Sequence, residues 1–447
     1  MIDFNLVAAV LIGIAVLLTL ILKLRIQAFI ALLVSSIIVG ILAGMAPMAI
    51  ISTMQEGMGD TLGFVAMVVG LGAMFGAILE HSGGAEALAK YLLNTFGEKR
   101  ASWALMLTGF FVAIPVFFDV AFIILVPLIY SLQRKTKKSL LIYGIPLLAG
   151  LAITHAFIPP TPGPVAVADI LKADLGWVIT FGFLAGIPAA IISGPLFANY
   201  IAKKIHIDAP PLDDNPTEVT KYPAVGLILT IIGIPIILIV SNTLLNSPMA
   251  SNLQLSNTTK SWLQMLGHPF SALILANLIA WYVLGVARGV ASATLLKITS
   301  KSMAPAGIII LLTGAGGVFK QMLVNTKTGE MLANYFAEQG VSILLFAFLA
   351  AVIVRVLQGS ATVAMITAAG LTAPLLAIDV SAIDKALLVI AIASGASILS
   401  HVNDSGFWLV SKYLGLNEKQ TFRSWTMMTT ILALVGFGAV CIMSLVF

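Results

Sequence analysis

Apolar runs separated by short polar stretches recur along the whole chain, for example at residues 2–22, 29–45, 224–240 and 425–447. A helix rises about 1.5 Å per residue, so about 20 apolar residues cross a hydrocarbon core about 30 Å thick. The chain lacks the alternation of single polar and apolar residues that marks membrane β-strands. The pattern therefore predicts an all-α polytopic membrane protein.

The amino-acid composition also indicates a membrane protein, and it excludes several kinds of partner and binding site. The chain of 447 residues is 60% hydrophobic and 10% charged, whereas soluble domains carry about 25% charged residues. Its net charge of +5 is divided among loops without a basic face, so we expect no nucleic-acid partner. Cys441 is the only cysteine, which excludes an internal disulfide and a cysteine metal site. We expect no metal and no cofactor other than a coupling ion.

The first apolar run is interpreted as a membrane span and not as a secretion signal. Lys23 and Arg25 follow this run instead of preceding it, and no small-residue cleavage site stands out. Because basic residues favour cytoplasmic loops, each basic stretch indicates an inside loop, and the strongest is RKTKK at residues 134–138. The inside loops lie around residues 23–25, 81–100, 134–138, 203–222, 288–302 and 411–423.

This topology predicts ten full spans, with both termini outside, and two segments that begin and end on the same side. These segments, residues 101–132 and 341–378, are interpreted as re-entrant hairpins. Pro115 and Gly359 break them near the middle, and freed backbone groups at membrane depth are tolerated where they line a cavity. Two kinked ordinary spans are the alternative.

The second half of the sequence repeats the first. An offset of 244 residues aligns Pro115 with Gly359, and an offset of 246 aligns His155 with His401. Each half then holds five spans and one hairpin, and because five is odd the halves cross the bilayer in opposite directions. This predicts an inverted-repeat transporter fold with interrupted helices. Its parts are a first repeat at residues 1–202, a cytoplasmic linker at 203–222 and a second repeat at 223–447.

Polar residues cluster at four predicted helix breaks, near residues 115–119, 159–163, 358–362 and 401–406. A charged side chain at the bilayer centre costs roughly 2.5–3.5 kcal/mol, so its presence there needs a reason. Broken helices present free N–H groups and positive dipole ends, and nearby hydroxyls add polar contacts, so we expect a small hydroxylated anion as ligand. The predicted substrate-binding residues are Thr154, Thr161, Gly163, Arg355, Gln358, Ser360, Thr362, Ser400, Asn403 and Ser405.

Several of the polar residues also have a structural alternative. His155 and His401 could cap helix ends, and Asp404 could start a helix in an Asx turn. Asp119 and Arg355 break the repeat symmetry, because the other repeat has apolar residues at the matching positions. A coupling ion or a substrate would require such asymmetry.

Five stretches carry a family resemblance. They are GGAEALA at residues 83–89, THAFIPPTPGP at 154–164, GAGGVFKQMLV at 314–324, RVLQGSATVAMITAAG at 355–370 and SHVNDSGFWL at 400–409. In these stretches the sequence resembles the gluconate permease family, the gluconate:proton symporters of bacterial inner membranes. The resemblance implies proton-coupled uptake of gluconate or a close sugar acid. Idonate, fructuronate and D-serine remain alternative substrates, since related members handle them.

The resemblance also implies a homodimer in the ion-transporter fold with paired re-entrant hairpins. A sugar acid is an anion at neutral pH, so a proton carried with it needs a group that titrates. Asp119 is the first expected carrier because desolvation in a cavity disfavours a charged carboxylate. His155, His401 and Asp404 are the other candidates.

Two other classes remain as alternatives. A passive anion channel would not accumulate its ligand uphill, so an uncoupler test in vesicles separates it from a symporter. An intramembrane enzyme would need a catalytic motif, but the sequence has no HExxH, no GxSxG and no cysteine nucleophile. We therefore expect a transporter and not an enzyme.

Overall fold

The structure, a computed structural model, describes residues 4–210, 222–246, 256–326, 342–376, 380–402 and 404–447. Over these residues the chain is helical, without β-strands, as the apolar pattern predicts. The helices of the first half are α1 Phe4–Leu18, α2 Ala28–Leu42, α3 Pro47–His81, α4 Gly84–Phe96, α5 Ala101–Val112, α6 Phe118–Thr136, α7 Leu141–Phe157, α8 Pro162–Leu171, α9 Leu175–Ile191 and α10 Phe197–Lys204.

The helices of the second half follow a similar order. They are α11 Val225–Asn246, α12 Asn257–Gly267, α13 Pro269–Ala280, α14 Ser292–Asn325, α15 Ile343–Gln358, α16 Ala361–Thr372, α17 Ala382–Ser397, α18 Ser405–Leu414, α19 Glu418–Thr421 and α20 Met427–Val446. A π-helical turn, Phe422–Thr426, joins α19 to α20.

Seven helical segments within the described residues are long and apolar enough to cross a membrane, and some of them, such as Leu141–Leu171 and Leu175–Lys204, combine two consecutive helices. Three shorter apolar helices, Ala28–Leu42, Ile343–Val356 and Ala361–Leu375, accompany them. The all-α membrane fold with interrupted helices is thereby confirmed. The count of ten spans, the repeat boundaries and the opposite orientation of the halves stay predictions.

Both predicted hairpins are broken at the predicted residues. Pro115 lies in the gap between α5 and α6, and Gly359 lies between α15 and α16. Gly359 adopts a φ of 87°, a left-handed conformation that a residue without a Cβ adopts at little cost. The second helix of the first hairpin continues to Thr136, four residues beyond the predicted end at 132. The predicted ends of the second hairpin, residues 341 and 378, lie outside the described residues.

A second pair of breaks divides two long apolar helices. Between α7 and α8 the chain is non-helical over residues 158–161, and between α17 and α18 over the described residues from 398 to 404. Proline-rich sequence explains the first break, since proline lacks the N–H that a continuing helix needs. The polar stretch SHVNDS explains the second, because Asp404 turns its side chain onto the backbone at the start of α18.

The two longest helices, α3 and α14, pack backbone against backbone at glycines. A Cβ added at Gly57 would lie 2.7 Å from the carbonyl oxygen of Gly317, and one added at Gly317 would lie 2.1 Å from Thr61 Oγ1. Neither position has room for a side chain. The contact therefore joins α3 and α14 closely, and these helices stand beside the interrupted ones.

Residues 205–210 form a strap across the loop between α6 and α7. Ser139 Oγ donates to the carbonyl of Ile205 at 2.8 Å, and the backbone N–H of Leu140 donates to the carbonyl of Ile207 at 2.8 Å. The helix α10 already covers residues 203 and 204 of the predicted linker, so the non-helical part starts at 205. Residues 211–221 of that linker lie outside the described residues.

Candidate functional site

A cavity of about 540 Å³ lies where the helix breaks meet. Its wall combines the start of α6, the end of α7, the break between α15 and α16, the start of α18 and the segment that leads into α20. Eight of the predicted site residues line it: Asp119, His155, Arg355, Gln358, Ser360, Thr362, Asp404 and Ser405.

Three helices begin at this cavity, and their N-termini point positive dipole ends toward it. At the start of α16, Ser360 Oγ accepts the backbone N–H of Val363 at 3.3 Å. At the start of α18, Asp404 Oδ1 accepts the N–H of Gly406 at 3.1 Å. The start of α6 has no side-chain cap, because Phe117 precedes it. First-turn N–H groups have no partner inside their own helix, so this end can receive an anionic oxygen.

Arg355 is buried, with 3% of its surface exposed, and joins the two breaks of the second half. Its Nη2 lies 2.5 Å from Asp404 Oδ2, and its Nε donates to the carbonyl of Ile398 at 3.3 Å. Its Nη1 donates to the carbonyl of Gly359. The guanidinium thus holds the end of α15 against the start of α18, and its charge is balanced by Asp404.

Ser400 lies beneath this ion pair and is fully buried. Its hydroxyl donates to Asp404 Oδ2 and accepts the indole N–H of Trp425 at 2.5 Å. Its backbone N–H donates to Thr429 Oγ1 at 3.2 Å, and its carbonyl accepts the hydroxyl of Thr426. Ser400 was predicted to bind substrate hydroxyls, but it lies outside the cavity wall and its polar groups bond to the protein.

Asp119 differs from Asp404 in its exposure and in its partners. It lies in the first turn of α6, is solvent-exposed, and lines the cavity. Among the described residues its carboxylate has neither a hydrogen-bond donor nor an ion-pair partner. Asp119 is therefore the cavity carboxylate whose charge the surrounding protein leaves unbalanced.

The two repeat-related histidines have different surroundings. His155 lines the cavity between the rings of Phe117 and Phe118, each with its centroid 6.4 Å away. Its Nδ1 is buried without a hydrogen-bond partner among the described residues. His401 instead places Nε2 2.7 Å from the carbonyl oxygen of Val356, near the end of α15. His401 does not line the cavity and has a structural contact, whereas His155 faces the cavity.

Three predicted substrate-binding residues in the first half do not line the cavity. Thr154 Oγ1 donates to the carbonyl of Phe110 at 2.8 Å, and Thr161 Oγ1 donates to the carbonyl of Ile158 at 2.6 Å. Gly163 allows close packing, since a Cβ there would lie 2.6 Å from the sulfur of Met365. Asn403 lies outside the described residues.

Sequence reasoning missed the aromatic part of the wall. Phe117, Phe118 and Trp425 line the cavity together with Thr429, and the rings of Phe118 and Trp425 lie 5.7 Å apart. Phe117 and Phe118 directly precede Asp119, so they could have been inferred from that neighbour. Trp425 begins the terminal apolar run directly after Arg423 and Ser424, and no local pattern distinguishes it from a tryptophan at the membrane interface.

Interrupted helices that meet at a cavity inside an all-helical membrane chain are typical of secondary transporters. The chain belongs to the GntP family of permeases, because the sequence profile described as GntP family permease matches residues 5–446. The chain is accordingly a multi-pass permease of the bacterial inner membrane.

Named relatives are similar over nearly the whole chain. A gluconate permease of Pseudomonas aeruginosa is 38% identical over 441 residues, which cover 97% of this chain and 96% of the relative. The low-affinity gluconate transporter of Escherichia coli K12 is 41% identical over 426 residues, or 95% of each chain. The Gnt-II system L-idonate transporter of the same organism is 36% identical over 427 residues, again 95% of each. The family resemblance inferred from the five sequence stretches is thus confirmed.

A solved structure shares the fold. The YdaH transporter of Alcanivorax borkumensis, whose crystal structure is described as revealing an unusual topology, superimposes with a TM-score of 0.62 and covers 86% of each chain. At 17% identity this likeness concerns the fold alone.

Proposed function

We propose that the chain carries out proton-coupled uptake of gluconate or a closely related sugar acid through this cavity. The observation that carries the proposal is the unbalanced carboxylate of Asp119 in a cavity where the other carboxylate, Asp404, is paired with Arg355. The proton is the coupling ion, and no other cofactor is part of the proposal.

Sugar acids fit the polar groups of the wall. The uncapped start of α6 offers N–H groups to a carboxylate, and hydroxyls at Ser360, Thr362 and Ser405 suit the hydroxyls of a polyol chain. Relatives named for gluconate and for L-idonate support this substrate class. Arg355 also lines the cavity, and three of its five N–H groups donate to acceptors in the protein, so the proposal keeps the other two as donors to a substrate carboxylate.

Charge explains why a proton and an anion bind together. Two like charges about 4 Å apart repel by about 4 kcal/mol at an effective dielectric constant of about 20. A sugar-acid anion entering beside ionised Asp119 meets such repulsion, and a proton on Asp119 removes it. Since each ligand then favours the binding of the other, the linkage is reciprocal and couples the proton gradient to uptake.

Transport in proteoliposomes tests the function. With an inward proton gradient, labelled gluconate is expected to accumulate above its external concentration, and an uncoupler is expected to abolish the accumulation. Equilibration without accumulation would instead indicate a passive channel. Parallel assays with idonate, fructuronate and D-serine identify the substrate, because the proton dependence is expected for whichever of them is transported.

The substitution Asp119→Asn tests the proton carrier. It is expected to abolish proton-driven accumulation while leaving exchange of internal for external substrate close to wild type, since exchange requires no net proton movement. Glu418→Gln, which removes a carboxylate at the start of α19 away from the cavity, is the matched control and should accumulate normally. Normal accumulation and pH dependence in Asp119→Asn would exclude Asp119, and His155 would be the next cavity group to test.

We also propose that the protein is a homodimer, as the family resemblance implies. Light scattering of the purified protein in detergent is expected to give twice the chain mass. A mass of one chain, both in detergent and in lipid nanodiscs, would contradict the homodimer.

A further inference from the structure

The short helix α12, Asn257–Gly267, lies between two segments that are long and apolar enough to cross a membrane. The first of these, Val225–Asn246, is α11, and the second, Pro269–Arg288, begins two residues after α12 ends. With 11 residues, α12 is itself too short to cross a hydrocarbon core about 30 Å thick. Its stretch of sequence is not among the predicted inside loops, so the topology places it on the predicted outer side of the membrane.

Contacts with α11 fix the depth of α12. Gln264 Nε2 donates to Oδ1 of Asn246, the last residue of α11, at 2.6 Å. A Cβ added at Gly267 would lie 2.7 Å from the carbonyl oxygen of Leu238, so the two backbones touch there. Leu238 precedes Asn246 by eight residues, or about 12 Å along the helix axis. The helix α12 therefore lies beside the last two turns of a membrane span and not above its end.

The side of α12 that faces away from α11 is apolar. At 3.6 residues per turn, the side chains opposite Gln264 belong to four large hydrophobic residues, which together form the apolar side of α12. They are Trp262 (60% exposed), Leu263 (43%), Met265 (49%) and Leu266 (43%). A helix packed on a protein in water has the reverse arrangement, with its apolar side toward the protein. The arrangement of α12 is the one expected where lipid surrounds the protein.

We propose that α12 is an interfacial helix whose apolar side inserts between the headgroups and the acyl chains of the lipid leaflet around α11 and α13. Its depth beside α11 places this side at the boundary of the hydrocarbon core, where an amphipathic helix lies in the plane of the membrane. Trp262 suits this boundary, because its ring is apolar and its indole N–H can donate to water or to headgroups. The helix thereby holds the end of α11 and the start of α13 at a fixed depth, whichever substrate is transported.

Spin labels on the protein in liposomes test this contact with lipid. Cys441 is the only cysteine, so Cys441→Ser gives a background in which single cysteines can be labelled. Trp262→Cys and Leu266→Cys place the label on the apolar side, and Asn257→Cys and Ser261→Cys are the matched controls at exposed polar positions. Dissolved oxygen concentrates in lipid, whereas a nickel chelate stays in water. The logarithm of the oxygen-to-nickel accessibility ratio is expected to be positive at 262 and 266 and negative at 257 and 261.

Two outcomes would overturn the proposal. Nickel access at 262 and 266 equal to that at 257 and 261 would show that the apolar side projects into water. Exclusion of both reagents from 262 and 266, with spin–spin broadening between chains, would show that a second copy of the chain covers this side instead of lipid.

Tryptophan fluorescence gives an independent measurement if the cysteine variants do not reach the membrane. Trp262→Phe keeps an apolar aromatic side chain, so the difference between its fluorescence and that of the wild type is the contribution of Trp262. Lipids brominated near the headgroup are expected to quench this contribution more strongly than lipids brominated at the chain ends. Absence of quenching by either lipid would contradict the insertion of α12. A failure of proton-coupled uptake would leave all of these readouts unchanged.

Discussion

The hairpin breaks of the two halves are held in different ways. In the second half, Arg355, Asp404 and Ser400 form one buried network that ties the end of α15 to the start of α18. In the first half, the start of α6 has no side-chain cap, and Asp119 there has no ion-pair partner among the described residues. The two halves therefore share helix breaks but not the side chains that stabilise them.

The sequence difference behind this contrast is small. At an offset of 244 residues, Phe111 occupies the position that Arg355 has in the second half, and Val363 occupies the position of Asp119. One half has thus placed its charges in a neutral ion pair, and the other exposes a single carboxylate to the cavity. The hydrogen-bonded network makes the break of the second half rigid. The unpaired carboxylate of the first half is available to bind a proton or to repel an anion.

Removal of Arg355 is expected to have the largest effect on this contrast. Arg355→Ala leaves the Asp404 carboxylate unpaired in a buried site, which costs about 3–5 kcal/mol of unfolding free energy. Thermal unfolding in detergent measures the loss, and Arg355→Ala/Asp404→Ala should recover much of it. If Arg355→Ala unfolds like wild type, the network does not stabilise the second half.

Ser400→Ala is expected to have an intermediate effect. It removes the acceptor of the Trp425 indole N–H and one donor to Asp404, and an unsatisfied buried polar group costs about 1–3 kcal/mol. The free energy of unfolding is measured for Ser400→Ala and for the control Ser405→Ala. Ser405 lies at the exposed start of α18. Equal stability of the two variants would show that the hydrogen bonds of Ser400 do not stabilise the protein.

The histidine pair is expected to give the smallest effect on stability. His401→Ala loses the contact with the Val356 carbonyl and should unfold about 1 kcal/mol more easily. His155→Ala loses no hydrogen bond at Nδ1 and should change stability less than His401→Ala, while altering uptake more. The reverse order in either measurement would contradict the division between a structural and a cavity histidine.

Local chemistry made the fold and the location of the site predictable. Proline and glycine act on their own backbone, so Pro115 and Gly359 marked the breaks without knowledge of their neighbours. The cost of membrane-buried charge likewise singled out Asp119, Arg355 and Asp404, and all three line the cavity. These signals are carried by single residues, which is why one sequence sufficed.

The hydrogen-bond and ion-pair partners of the side chains could not be predicted in the same way. Thr154 and Thr161 have the hydroxyls of a sugar-binding residue, but each donates to a backbone carbonyl whose position only the packed helices determine. Arg355 and Asp404 are 49 residues apart, and nothing in either stretch shows that they meet. Trp425 comes to the cavity from the terminal segment for the same tertiary reason.

The strap at residues 205–210 makes the middle of the chain a suitable place to divide the polypeptide. Ile205 and Ile207 receive their hydrogen bonds from Ser139 and Leu140, so a cut immediately after Pro210 leaves donors and acceptors on the same fragment. Two genes that encode residues 1–210 and 211–447 would give two fragments. We expect these fragments to insert into the membrane separately and to associate there. Each fragment then becomes a unit that can be labelled, mixed with variants of the other or exchanged between relatives.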